Sequence, residues 1–104
     1  MTHLKIHYKN MAYENMSFID TGTLYTDEKR DLVFEMENTS DLPMVDISFK
    51  TNLPPDSYQI LIPSILEPKS RESMILTITN PKKIMYELNE KPFMGFEYFL
   101  EKVF

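Results

Sequence analysis

The sequence lacks several residue types, and each absence excludes a class of functional site. It has no cysteine, so it can form neither a disulfide framework, nor a thiolate zinc site, nor a cysteine nucleophile. Its two glycines, Gly22 and Gly95, stand alone, whereas a phosphate loop needs several together, so each is expected at a turn or a close approach. Its two histidines, His3 and His7, lie together near the N-terminus, and no G-x-S-x-G motif occurs. We therefore expect no catalytic site, no cofactor and no metal.

Basic residues are also scarce. Eleven Lys and Arg stand against sixteen Asp and Glu, which gives a net charge of −5. A nucleic-acid-binding protein needs an excess of basic residues on one face. Lys9 beside Tyr8, and Lys82-Lys83 near Tyr86, combine cations with aromatic rings, as single-strand binders do, but each cluster is small. Nucleic acid is therefore not an expected partner.

Long hydrophobic stretches are missing as well. The longest unbroken apolar runs, such as Ile60-Leu61-Ile62, have three residues, and the N-terminus lacks the apolar stretch of a signal peptide. The sequence thus predicts no membrane insertion. It predicts a cytoplasmic location if Met1 is the native start, and an extracellular one if the chain is a fragment of a longer protein.

What the sequence does contain is alternation of apolar and polar residues. A length of 104 residues with 42% hydrophobic content fits one domain, residues 1–104. Period-two alternation puts one apolar set on a single face of a strand. The alternating apolar sets are Leu4, Ile6 and Tyr8; Leu32, Phe34 and Met36; Val45, Ile47 and Phe49; Tyr58, Ile60 and Ile62; Met74, Leu76 and Ile78; and Ile84, Tyr86 and Leu88.

Turn residues separate these runs at intervals of roughly ten to fourteen residues, close to the spacing in β-sandwiches. The segment from Lys9 to Asn15 is either a loop or an edge strand that switches sheets. We predict an all-β fold, a single immunoglobulin-like antiparallel β-sandwich of seven or eight strands. The expected core is Leu4, Ile6, Leu32, Phe34, Met36, Val45, Ile47, Phe49, Ile60, Ile62, Leu66, Met74, Leu76, Ile78 and Tyr86.

The order of features over residues 17–81 resembles a known family. The matching pieces are Gly22-Thr23-Leu24, Leu32 to Pro43 with its Asn38-Thr39-Ser40 turn, Ile65-Leu66-Glu67-Pro68, and Ser73 to Pro81. Together they resemble immunoglobulin-like domains of the major-sperm-protein and ASPM/SPD-2/hydin type, although Lys69 stands where those families commonly have glycine. The resemblance implies an interaction or assembly module without a catalytic site.

Acidic and histidine clusters have simpler interpretations than a catalytic or metal site. The acidic residues Asp27, Glu28, Asp31, Glu35 and Glu37 lie close together, but Glu35 and Glu37 would point outward from one strand and form a solvated face. On a strand, the i, i+4 spacing separates His3 and His7 by about 13 Å, too far for one ion.

Two N-x-S/T sequons also occur, at Asn15 and Asn38. Without a leader they are expected to carry no sugar, and Asn38 would be the better acceptor in a secreted protein because it lies in a turn.

The C-terminal segment is the least generic part of the chain. Residues 93–104 carry five of the thirteen aromatic residues, and they can be interpreted as a strand or as a helix. The aromatic content favours a strand, with Phe96, Tyr98 and Leu100 on one face. The remaining apolar residues of this tail either form a partner surface or cover the end of the sandwich. The candidate protein interface is Met94, Phe99, Val103 and Phe104.

The leading functional hypothesis is therefore a non-catalytic protein-binding or assembly module. It would act through a sheet edge or through the apolar C-terminal strand, and its partner would be another protein or a second copy. The alternative is an extracellular or virion surface β-sandwich domain used in adhesion, glycan binding or a stalk.

Overall fold

The structure is a computed structural model that describes residues 3–21, 29–79 and 92–101. Within these ranges the chain is nearly all β, and its one helical element is a short 3-10 helix, Pro55–Ser57. No helix in the described ranges is long and apolar enough to cross a membrane. The strands are β1 (Leu4–Tyr8), β2 (Met11–Glu14), β3 (Ser17–Phe18), β4 (Arg30–Asn38), β5 (Met44–Thr51), β6 (Tyr58–Leu61), β7 (Ile65–Leu66), β8 (Arg71–Ile78) and β9 (Phe93–Leu100).

These strands form two antiparallel sheets. The first has the order β2-β1-β4-β8-β6, and the second has the order β3-β9-β5-β7. The inward side chains of both sheets belong to one hydrophobic cluster, an arrangement compatible with a β-sandwich. The described ranges contain nine strands, and β7 is a two-residue edge strand too short for an alternation pattern to show.

Most of the predicted core is buried. Strict alternation in β1, β4 and β8 puts every second side chain inward, where it packs against the other sheet. Buried as predicted are Leu4, Ile6, Leu32, Phe34, Met36, Leu66, Met74, Leu76 and Ile78. Partly buried against them are Ile47, Phe49, Ile60 and Ile62. Tyr86, the remaining run from Ile84 to Leu88, and Gly22 lie outside the described residues.

The predicted inward position of Val45 is wrong, and a β-bulge explains why. The register between β5 and β9 shifts by one residue between Val45 and Ser48, and Asp46 has a φ of 53°. One extra residue on β5 reverses which positions face inward. Before the bulge Met44 is therefore fully buried, whereas after it Phe49 packs against the core.

The segment from Lys9 to Asn15 is an edge strand that leads into the other sheet. β1 and β2 form a hairpin in which Tyr8 pairs with Met11, and both turn residues have positive φ, 46° at Lys9 and 65° at Asn10. Positive φ at both positions is the pattern of a type I′ turn, whose twist matches that of the strands. After β2 the chain crosses to β3 in the second sheet.

A buried asparagine connects the two sheets. Asn38 ends β4 in the first sheet and is 0% exposed, and its amide nitrogen donates hydrogen bonds to the carbonyl oxygens of Leu42 (2.8 Å) and Leu66 (3.0 Å). Its amide oxygen accepts bonds from the backbone N–H and the hydroxyl of Ser40. Because the side chain is enclosed and bonded in this way, Asn38 is not an accessible glycan acceptor, contrary to the expectation from its turn position.

Replacing Phe34 by Ala tests the sheet pairing. Phe34 is 1% exposed and its ring centroid lies 4.6 Å from that of Tyr8, so the cavity should lower the free energy of unfolding by about 3 to 5 kcal/mol. The neighbouring Val33→Ala is the control, because Val33 lies on the outer face and should cost under about 1 kcal/mol. Urea denaturation measures both, and equal costs would contradict the assigned faces of β4.

Replacing Asn38 by Ala should destabilise the fold as much as a core cavity does. The change removes the bonds to two carbonyls and to Ser40 and leaves those groups buried and unpaired, at about 1 to 3 kcal/mol for each group left without a partner. Asn52→Ala is a matched exposed control, since its one described bond, to the Phe93 N–H, lies at the surface. Thermal denaturation that leaves Asn38→Ala as stable as Asn52→Ala would contradict a sheet-connecting role.

Candidate functional site

An exposed apolar row crosses the outer face of the second sheet. Phe99 on β9 is 68% exposed, and it lies directly opposite Val45 on β5. Val45 in turn lies opposite Ile65 on β7, which is 47% exposed. Side chains opposite each other on one face of a sheet lie in contact range, so these three residues form one strip, here called the Phe99 row.

Charged and polar residues border the Phe99 row. Glu97 lies next to Phe99 on the outer face of β9, and its carboxylate is 3.9 Å from the Lys50 ammonium on β5. Glu101 follows β9 and is exposed on the other side of the row. The outer face thus has an apolar strip with a polar margin, which is the composition of a small protein-binding surface.

The other residues predicted for the interface do not join this surface. Met94 is 0% exposed and belongs to the core, because it lies on the inward side of β9 with Phe96. Val103 and Phe104 lie outside the described residues. Sequence reasoning missed Val45 and Ile65, because the bulge and the short β7 strand that bring them beside Phe99 leave no periodic signal.

The free side of β9 is partly covered by β3 and by the residues before it. Ser17 and Phe18 pair with Met94 and Phe93, and the Asn15 side chain continues this edge. Its amide nitrogen donates to the Phe96 carbonyl oxygen (2.9 Å), and its amide oxygen accepts from the Phe96 N–H (2.8 Å). Asn15 therefore makes the pair of bonds that a strand residue would make. Asn15, like the other sequon asparagine Asn38, is therefore buried and hydrogen-bonded.

The outer face of the first sheet carries a network of hydrogen-bonded and charged side chains. His7 on β1 lies 2.7 Å from the Glu37 carboxylate, and Arg71 on β8 lies 3.6 Å from Glu37 and 3.7 Å from Glu35. Glu35 and Glu37 thus point outward from one strand, as predicted. An open pocket of about 480 Å³ lies beside them, lined by His7, Tyr8, Lys9, Asn10, Met11, Ala12, Val33, Glu35, Arg71 and Ser73.

These side chains do not form a metal cluster in the described ranges. His7 lies in the strand Leu4–Tyr8 and contacts Glu37, whereas His3 directly precedes that strand. No group of three or more His, Asp or Glu side chains among the described residues could hold a metal ion. Asp27 and Glu28 lie outside those residues.

The predicted basic and aromatic pairs have different outcomes. Lys9 lies 5.4 Å from the Tyr8 ring centroid, but that ring is 5% exposed and packs on Phe34, so it offers no face for a base to stack on. The pair of Lys82-Lys83 with Tyr86 lies outside the described residues.

A second exposed apolar row lies on the outer face of the first sheet. Val33 on β4 is opposite Ile75 on β8, and Ile75 is opposite Leu61 on β6. Their exposures are 58%, 37% and 69%. All three residues of this set, here called the Leu61 row, are exposed, whereas Val45 in the Phe99 row is half-buried; the Leu61 row has no aromatic residue.

Comparison of the chain with protein-family models, with curated proteins and with solved structures found no match.

Gly95 is a close-approach glycine, and replacing it by Ala should open the β3 edge of β9. An added Cβ would lie 2.7 Å from both the Cα and the N of Met16, which has a φ of 60°. These are backbone atoms that cannot move without shifting Asn15 and β3, so we expect about 1 to 3 kcal/mol of destabilisation. The exposed Ala12→Gly is a control for the size change alone. Amide hydrogen exchange at Phe96 should speed up in Gly95→Ala, and unchanged exchange would contradict the tight contact.

Proposed function

We propose that this chain is a non-catalytic protein-binding or assembly module that docks a protein partner on the Phe99 row. The observation that carries the proposal is the position of Phe99, which is 68% exposed in register with Val45 and Ile65. An aromatic ring left in water on a sheet face, within an apolar strip, is typical of a binding surface. The partner is another protein or a second copy of the chain.

Docking on this row would be favourable for a simple reason. Removing a Phe side chain from water contributes about 1.5 to 3 kcal/mol. Aromatic residues at the centre of an interface, with polar residues around them to exclude water, account for much of the binding energy of protein complexes. Phe99 is flanked in this manner by Glu97 and Glu101.

The Phe99 row is preferred to the Leu61 row on composition. Leucine and valine are under-represented among the residues that dominate binding energy, whereas aromatic residues are enriched. The Leu61 row consists of Val33, Ile75 and Leu61. It therefore serves as an internal comparison, with somewhat greater exposure and no aromatic ring.

A non-catalytic role is supported by the chemistry of the described polar groups. On an open sheet face His7 is hydrogen-bonded to Glu37, and Arg71 forms an ion pair with the same carboxylate. General acid–base or nucleophilic catalysis requires a base held beside a reactive group in a sheltered site.

We further propose an immunoglobulin-like topology. The first sheet places β1, β4, β8 and β6 side by side, and the second places β9 beside β5. With β1, β4, β5, β6, β8 and β9 labelled A to F, this corresponds to the A-B-E-D sheet and the C–F pair of the immunoglobulin fold. Lys69 has a φ of 55°, which supports the resemblance to families that commonly have glycine at this place.

Replacing Phe99 by Ser tests the binding proposal. Partners retained from extracts of the source organism are purified, and their Kd is measured by titration calorimetry with the wild type and the variant. Self-association is followed by sedimentation velocity. We expect Phe99→Ser to weaken the recovered interaction by about tenfold or more, because it removes the aromatic centre of the row.

The matched control is Leu61→Ser, which removes an apolar side chain of nearly equal exposure from the other sheet. Thermal denaturation first establishes that both variants fold. Equal loss of binding in the two variants, or no loss in Phe99→Ser, would overturn the proposal. A chain that stays monomeric and has no partner sensitive to Phe99 would overturn it as well.

A further inference from the structure

The half of β9 nearest its end presents backbone hydrogen-bonding groups on its free side. The N–H and C=O of Phe96 point towards Asn15, away from β5, whereas the Glu101 N–H donates to the Pro43 carbonyl oxygen on the β5 side (2.9 Å). Because these directions alternate along an antiparallel strand, Tyr98 and Leu100 direct their N–H and C=O groups to the free side.

Described residues place no strand beside Tyr98 and Leu100 on that side. β3 pairs with β9 only at Phe93 and Met94, and the Asn15 side chain makes two hydrogen bonds to the backbone of Phe96. The Tyr98 hydroxyl lies 3.4 Å from the His3 backbone nitrogen, which donates to it, so this side chain reaches towards β1. An added strand would therefore continue the line begun by β3 and Asn15.

The other free edges of the described sheets carry features that discourage strand addition. The edge of β5 beyond β7 contains the bulge at Asp46 and the exposed Lys50. β6 has four residues and lies between the Pro55–Ser57 helix and Pro63, and β2 also has four residues. Bulges, lysine, proline and short length are the usual protections of an edge. The described end of β9 with the residue after it, from Tyr98 to Glu101, is short as well, but it contains no bulge, lysine or proline.

Charge decides what kind of strand fits this edge. Glu97 lies beside Phe99 on the outer face with its carboxylate 3.9 Å from the Lys50 ammonium, and Glu101, two residues beyond Phe99, is exposed. If a second copy paired antiparallel about Phe99, Glu97 of each copy would lie opposite Glu101 of the other, and like charges directly opposite are destabilising. The edge therefore disfavours a second copy and favours a basic strand.

We propose that the partner binds as an added antiparallel strand along Tyr98 and Leu100, with an apolar residue beside Phe99 and a Lys or Arg opposite each of Glu97 and Glu101. The five-residue pattern is basic, any, apolar, any, basic. The two unrestricted residues exchange backbone bonds with Leu100 and Tyr98, while the other three lie on the outer face. The proposal rests on the proposed function, since it names the partner of the Phe99 row.

The test uses a synthetic peptide, Gly-Lys-Thr-Ile-Thr-Lys-Gly, and the full chain. Fluorescence anisotropy should show saturable binding below ~1 mM. Amide exchange followed by NMR should slow at Tyr98 and Leu100, and it should stay unchanged at Val33. Phe99→Ser should weaken binding about tenfold, whereas Leu61→Ser should leave it unchanged.

Two altered peptides isolate the strand pairing and the charge. N-methylation of both Thr residues removes the donors that face β9, so binding should be lost, whereas N-methylation of the Ile, whose N–H points away, should leave it intact. Exchange of both Lys for Glu should abolish binding to the wild type, and Glu97→Lys with Glu101→Lys should restore it.

Failure of this inference is distinguishable from failure of the proposed function. A peptide that does not bind, or that binds equally well with its Thr residues N-methylated, overturns strand addition. If binding of a protein partner still depends on Phe99 in that case, the proposed docking on the sheet face is retained and only strand addition is rejected. A further outcome is a peptide that binds and protects the Tyr98 and Leu100 amides, with the same affinity for Phe99→Ser as for Leu61→Ser. Strand addition at the edge is then supported, whereas its link to the Phe99 row is overturned.

Discussion

The hydrogen bonds of the buried Asn38 amide are the interaction on which the rest of the structure depends. The chain has no disulfide, so the two sheets are connected by apolar packing and by polar contacts that cross the core. Asn38 stands where β4 ends in the first sheet, and it binds the carbonyls of Leu42 and Leu66 on the way into and within the second. A buried amide with all its partners in place orients the crossing more strictly than apolar packing does, because any other orientation leaves polar groups unpaired.

The position of β5 follows from that crossing, and the bulge then decides which side chains reach the surface. Met44 enters the core directly after the turn, and the extra residue at Asp46 lets Phe49 enter it as well, with Val45 turned outward. Without the bulge, one of these inward positions would be lost. The same local backbone feature therefore completes the core and creates the middle of the exposed Phe99 row.

β9 combines two tasks on opposite sides of one strand. Its inward residues Met94 and Phe96 are buried, while Phe99 is exposed on the other face. Because the period of a strand is two, neither face can change by a shift of register without exposing the core. The outer face of the first sheet differs, since its charges at Glu35, Glu37 and Arg71 are already paired with each other.

Aromatic content favoured a strand over a helix at Phe93–Leu100. The alternation of apolar residues by itself determined the all-β class and the inward faces of β1, β4 and β8, because period two follows from local backbone geometry. It also placed Phe99 outside the core. The alternation pattern did not predict which distant segments pair with each other. Only the tertiary structure decided that Val45 turns outward at a bulge, that Ile65 lies beside it, and that Asn15 and Asn38 are buried. Those features depend on which strands become neighbours, and long-range contacts leave no periodic signature in the residues that make them.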